Sequence, residues 1–181
     1  MGVPEAVLRQ MHEVGRDLYQ QRLVTSHGGN LSRRDGQEMW ITGTGTMLGR
    51  LHDRHIARVR TDGSYEGPQP SSDTILHTTI YAITDAAAVV HAHPRHAIAL
   101  SFELDRFVPE DLEGSLHLQE VPVIAQGPRQ VEEIALALRE RRIALLRGHG
   151  AYAKGKDLWE ALHWTTALEE SAEIAVIRRR F

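Results

Sequence analysis

Ala87-Ala88-Val89-Val90-His91-Ala92-His93-Pro94 is a short apolar run that ends on two histidines and a proline. Its length and β-branched content predict a buried strand, which Pro94 stops. Side chains alternate along a strand, so His91 and His93 project from one face and Ala92 from the other. Two imidazoles on one face can bind one cation at Zn–N distances of about 2.0–2.1 Å. The same pair also suits buried imidazoles satisfied by hydrogen bonds. A catalytic zinc needs a third protein ligand and an open position. His149, between Gly148 and Gly150 where the buried run Ile143–Arg147 ends, is the candidate.

Outward from this run the chain alternates between strand and helix patterns. Upstream, Val7, Leu8, Met11, Val14 and Leu18 follow Pro4 at helical spacing. Leu31–Arg33 and Met39–Thr42 flank Arg34-Asp35-Gly36-Gln37, an Asp-Gly hairpin signal. Ile56–Arg60 reads as a strand closed by a turn at Thr61-Asp62-Gly63. Ser71, Ser72 and Asp73 are N-cap types ahead of Ile75, Leu76, Thr79, Ile80 and Ile83, which share a helix face. Downstream, His96–Phe102 and Val131–Arg139 read as helices and Val121–Ile124 as a strand. Asp157 caps a last helix running toward Arg178-Arg179-Arg180, where cations favour the negative helix end. The alternation predicts an α/β fold in a single domain over residues 1–181, with the strand order left open.

Composition bounds the chemistry. The chain has 181 residues, 11 of them His and none Cys, which excludes thiolate metal sites, iron–sulfur clusters and Cys nucleophiles. A metal must then rest on His, Asp or Glu. The net charge of −3 gives no bulk attraction to nucleic acid or to an anionic membrane. No stretch approaches the ~18 apolar residues of a membrane span, and Met1–Gln20 is charged and amphipathic rather than a signal peptide. A cytoplasmic protein is expected. The basic residues are nineteen Arg and two Lys. Lys154 and Lys156 fall in Ala153–Asp157, which reads as an exposed turn, whereas Schiff-base lysines are usually desolvated.

A second constellation lies at Ser71-Ser72-Asp73. Two hydroxyls and free N–H groups at a helix N-terminus suit an anion, although the same residues serve as a plain cap. Asn30 after two glycines, and Thr44-Gly45 in a glycine-rich loop, are further donors, and Asp73 offers a base. Neither a P-loop nor a dinucleotide fingerprint occurs.

Gly28-Gly29-Asn30-Leu31-Ser32, Ile41-Thr42-Gly43-Thr44-Gly45, Pro70-Ser71-Ser72-Asp73, His91-Ala92-His93 and Gly148-His149-Gly150, in this order and spacing, resemble the class II aldolase/adducin family. The resemblance spans about residues 4–175. It implies an α/β/α sandwich on a mostly antiparallel central sheet, and a homotetramer with active sites between subunits. Carried over by position, His91, His93 and His149 would hold zinc, while Gly29, Asn30, Thr44, Gly45, Ser71 and Ser72 would bind a substrate phosphate. Asp73 would be the acid/base carboxylate. The implied activity is zinc-dependent cleavage of a small phosphorylated ketose, such as a deoxy-sugar phosphate, to dihydroxyacetone phosphate and an aldehyde. The alternatives are a phosphopentulose 4-epimerase, a methylthioribulose-phosphate dehydratase and a non-catalytic adducin-like binding module. The family's aldolases carry Glu where Asp73 stands, and its epimerases carry Asp. The aldolases' tyrosine proton donors have no counterpart here, since no Tyr lies between Tyr81 and Tyr152 or after Tyr152. His117 and Glu120 are the candidates left for the leaving-group proton.

Overall fold

A computed structural model describes residues 2–179. In chain order the elements are α1 (Glu5–Gln20), β1 (Asn30–Asp35), β2 (Glu38–Thr42), β3 (Ile56–Val59), β4 (Tyr65–Glu66), α2 (Thr74–Ile83), β5 (Ala88–Ala92), α3 (Arg95–Ser101), β6 (Arg106–Phe107), α4 (Leu112–His117), β7 (Val121–Ile124), α5 (Gln130–Glu140), β8 (Ile143–Leu146), β9 (Gly150–Gly155) and α6 (Leu158–Arg178). The strands form one sheet in the order β4-β3-β2-β1-β5-β9-β8-β7-β6. Every neighbouring pair is antiparallel except β7 and β8. The fold is thus α/β with a mixed, mostly antiparallel sheet and helices around it. No helix among the described residues is long and apolar enough to cross a membrane.

The period-2 rule sorts the strand residues between two cores. Leu31, Ala88, Val90, Ala92, Ile143, Leu145, Ala151 and Ala153 pack with α1, α3 and α6 on one face. Ile41, Val89, Ala144, Leu146 and Tyr152 pack with α2 and α5 on the other. The central strand β5 is buried along its whole length, as expected for a strand covered on both faces. Each fully buried Leu, Ile or Val contributes about 1.5–3 kcal/mol, so this double layer fixes the register of β5 tightly.

Two expectations need correction. Ala153–Asp157 is not an exposed turn: β9 runs from Gly150 to Gly155 between β5 and β8, and Lys154 sits in it, half-buried. Its Nζ pairs with Asp85 at 2.7 Å. Glycines and lysines have low strand propensity, and pairing on both sides overrides it. The buried face of α2 also differs from the apolar spacing. Leu76, His77, Ile80 and Tyr81 are inside, while Ile75 is 71% exposed. Polar His77 and Tyr81 can turn inward because Ser32 Oγ on β1 lies 2.6 Å from His77 Nδ1 and 2.7 Å from the Tyr81 hydroxyl. Elsewhere the local signals carry through. The Asp-Gly hairpin closes tightly between Asp35 and Glu38, and the Asp157 side chain accepts a bond from Glu160 N at the start of α6. Arg178 stands in the last turn of that helix; Arg180 lies outside the described residues.

His77 makes stability depend on pH. Burial pushes its pKa down to about 4 against the opposing pull of Asp73, while the unfolded chain titrates near 6.5. Between these values the unfolded state binds a proton that the folded state refuses, so stability falls as pH drops through about 6.5 toward 4. For metal-free protein the urea midpoint should therefore fall over that window, and fall less steeply in His77→Asn. Equal slopes for the two proteins would remove His77 as the cause.

Candidate metal and proton-transfer site

Antiparallel register sets the site. Asn30 on β1 pairs with His91 on β5, and His91 pairs with Tyr152 on β9, so three polar side chains form one row across the sheet. The row shares the sheet face with Val89 and faces α2. Asp73 stands at the N-cap of α2, above the row. Its carboxylate does not cap the helix; Oδ2 instead accepts from Asn30 Nδ2 at 2.9 Å and from the Tyr152 hydroxyl at 3.1 Å. Both anchoring bonds fall on the same oxygen, so Oδ1 is left available to a ligand. The Tyr152 ring lies parallel to the His91 ring, 4.1 Å between centroids.

His91 is buried, His93 follows the end of β5, and His149 is exposed in the β8–β9 turn. Their ligand nitrogens all lie within 4.8 Å of one another. His91 Nε2 is 3.1 Å from Nε2 of both His93 and His149. Two nitrogens bound to one tetrahedral zinc stand about 3.4 Å apart, close to these separations. His91 Nδ1 lies 3.0 Å from Ala151 O. A carbonyl can only accept, so that bond assigns the hydrogen to Nδ1 and leaves the Nε2 lone pair for a cation. The set fits a three-histidine metal centre with an open position.

Two glycines allow the rings to converge. A Cβ on Gly150 would stand 2.7 Å from His93 Cδ2 and 2.9 Å from His91 Cε1. Gly29 has φ +76°, and a Cβ there would stand 2.7 Å from His91 O. A larger residue at position 150 would push the rings apart, and one at position 29 would press on the β5 backbone.

The electrostatics separate two roles. Burial drives the His91 pKa down to about 3, and the charges of His93 and His149 act in the same direction against Asp73. His93 is lowered by burial and then by His149. Both are neutral near pH 7, the form that binds metal. Burial alone would raise Asp73, but His91, Asn30, His77 and Tyr152 together hold its pKa below the ordinary carboxylate value. Tyr152 is pushed up by burial and by Asp73, so it remains a donor.

The remaining expected residues fall into two stitched loops. Thr44 N donates to Gln69 O and Thr44 Oγ1 to Pro70 O, while Ser71 N donates to Thr42 O at 3.1 Å. Ser71 is buried, with its hydroxyl accepting from Asp73 N; Ser72 is exposed. Gly45 has φ +68° and open space on its Cβ side. Other candidates are engaged elsewhere. His117 pairs with Glu113, Glu120 with Arg106 and Arg141, and His96 with Glu169 at 3.0 Å. Tyr152 was missed by sequence reasoning. Its signal is its place two residues after Gly150, which becomes informative once β9 is known to run beside β5.

Comparison with known proteins gives the family and the fold. Residues 9–176 match the family described as Class II Aldolase and Adducin N-terminal domain. The chain is 30% identical over 177 residues to an L-fuculose phosphate aldolase of Methanocaldococcus jannaschii, covering 93% of this chain and 95% of that one. It is 29% identical over 176 residues to a 3-oxo-tetronate 4-phosphate decarboxylase of Haemophilus influenzae, covering 91% and 84%. Among solved structures, l-fuculose-1-phosphate aldolase from Thermus thermophilus superimposes with a TM-score of 0.89 at 40% identity, covering 97% of this chain and 95% of that one. The chain belongs to the class II aldolase and adducin N-terminal domain family.

Proposed function

We propose that this protein is a zinc-dependent aldolase that cleaves a small phosphorylated ketose to dihydroxyacetone phosphate and an aldehyde. The observation that carries the reading is the convergence of three histidine Nε2 atoms beside a carboxylate anchored through one oxygen. The aldolase relatives and the metal dependence of class II aldolases support it. A divalent ion bound by His91, His93 and His149 would supply Lewis acidity to the ketose carbonyl and its neighbouring hydroxyl.

The chain's own residues do the rest. Asp73, ionised and with Oδ1 available, would take a proton from the carbon beside the carbonyl in the condensation direction; in cleavage it would first take up a proton, matching the one the ketose hydroxyl loses as it becomes the aldehyde, and then give it to that carbon. Asn30 and Tyr152 hold that carboxylate still. Gly29, Asn30, Thr44, Gly45, Ser71 and Ser72 would bind the phosphate through backbone N–H and side-chain donors at the two stitched loops and the start of α2. Lys154 is tied to Asp85, which counts against imine chemistry there. Exposed Ile75, Phe102, Leu112 and Leu116 offer apolar surface for a homotetramer.

A decarboxylase relative favours one second reading. There a 3-oxo acid phosphate loses CO2 from the carbon beside the carbonyl, and the enolate left behind takes up one proton from solvent, which Asp73 would relay. Release of an aldehyde separates the first reading from release of CO2.

The metal reading predicts that chelation abolishes activity and that zinc restores it. His91→Asn should weaken zinc binding by more than about 100-fold, beyond the loss typical of an outer partner, as measured by competition with a chromophoric chelator. Undiminished zinc affinity in that variant would sink the site. Asp73→Asn should lower turnover roughly 10²–10⁴-fold and stop proton exchange between dihydroxyacetone phosphate and solvent, with zinc content retained. Loss of zinc instead would make Asp73 a ligand and not a base.

A further inference from the structure

The residues that the family resemblance offers for a phosphate, Gly29, Asn30, Thr44, Gly45, Ser71 and Ser72, are all uncharged. A phosphate monoester carries about −1.5 to −2 charge at neutral pH, and hydrogen bonds from charged donors are about twice as strong as neutral ones. Cationic groups stand beside that loop. A cavity of about 460 Å³ is lined by Thr44 and Gly45 together with Arg50, Arg54, His27 and His55. No carboxylate lines it. Arg50 and Arg54 are exposed and make no ion pair among the described residues, unlike Arg58 and Arg60 close by. The crowding of positive groups is felt by His55, whose pKa is lowered by burial and then by Arg54 and His52.

The cavity is linked to the histidine cluster through the chain at His27. His27 precedes Gly28, where a Cβ would stand 2.8 Å from His93 Nδ1. At the other wall the N–H of Gly45 donates no hydrogen bond among the described residues. The cavity therefore holds an unused backbone donor of the loop, and the charged side chains that line it are arginines.

We propose that Arg50 and Arg54 are specificity-determining residues that read the phosphoryl dianion of the substrate from this cavity, supplying the countercharge that the neutral loop lacks. This rests on the reading that the substrate is phosphorylated. Arginine's planar fork suits bidentate contact with phosphate oxygens. Its exposed guanidinium groups would also draw an anionic substrate toward a chain whose net charge is −3.

Inorganic phosphate, titrated calorimetrically into the zinc-loaded protein, tests the proposal. Arg50→Gln and Arg54→Gln should each weaken phosphate binding roughly 10-fold, as expected for one lost charge-assisted bond, and the double variant should do so more than either. KM for a ketose phosphate should rise in parallel. Arg139→Gln, the same loss of charge on the exposed side of α5, should leave the affinity unchanged. A double variant that binds phosphate within twofold of the wild type, while Thr44→Val binds it more weakly, overturns the arginine proposal alone. Equal weakening by Arg139→Gln overturns it too, by showing a bulk charge effect. A wild-type protein that takes up no phosphate at millimolar concentration overturns both this proposal and the phosphorylated-substrate reading.

Discussion

The row Asn30–His91–Tyr152 is the constraint on which the site depends. It exists because β1, β5 and β9 are adjacent and antiparallel with one fixed register. A slip of one residue in β5 would exchange His91 for Val90 or Ala92 and turn the imidazole into the opposite core. The two apolar layers oppose such a slip, since Ala88, Val90 and Ala92 pack on one side and Val89 on the other. Packing far from the reacting groups therefore fixes where those groups stand.

From that row follows a division of labour between neighbours that share one buried space. His91 stays neutral because burial penalises its charged form; the Asp73 pKa is held below the ordinary carboxylate value, against burial, with Asn30 and Tyr152 donating to it. The 3.7 Å separation of His91 Nε2 from Asp73 Oδ2 keeps the two functions distinct yet within reach of one substrate. Tyr152 contributes twice, by stacking on the ring that would face the metal and by holding the carboxylate that would move the proton.

Much of this was legible in the sequence, and the reasons differ by element. His91 and His93 could be read from strand alternation alone, a local rule. His149 could be placed by its glycines, and Gly150 does abut both other rings. β9 was not legible: Ala-Tyr-Ala-Lys-Gly carries little apolar alternation, and its burial comes from pairing on both edges. With β9 unread, Tyr152 had no position, and the lysines looked exposed. The inward turn of Tyr81 was hidden for a related reason, whereas His77 was already readable as a core or helix-face residue. Polar residues on an apparent outer face become core residues only when a distant partner satisfies them, and Ser32 lies far from Tyr81 along the chain.

Of five buried side-chain polar atoms without a hydrogen-bond partner among the described residues, two lie beside Asp73 and three, on His12, Trp40 and Asp111, lie elsewhere. Asn30 Oδ1 and His77 Nε2 are buried without a hydrogen-bond partner, each at a cost of about 1–3 kcal/mol. Both flank Asp73: Asn30 donates to it, and His77 is one helical turn further along α2 with its backbone N–H bonded to Asp73 O. A purely structural core at this place would have been built from apolar residues, as the opposite face of the same strands is. Unpaired capacity beside a carboxylate suits a site that completes its hydrogen bonding on a ligand, and these two atoms lie on the same face of the sheet as the converging histidines.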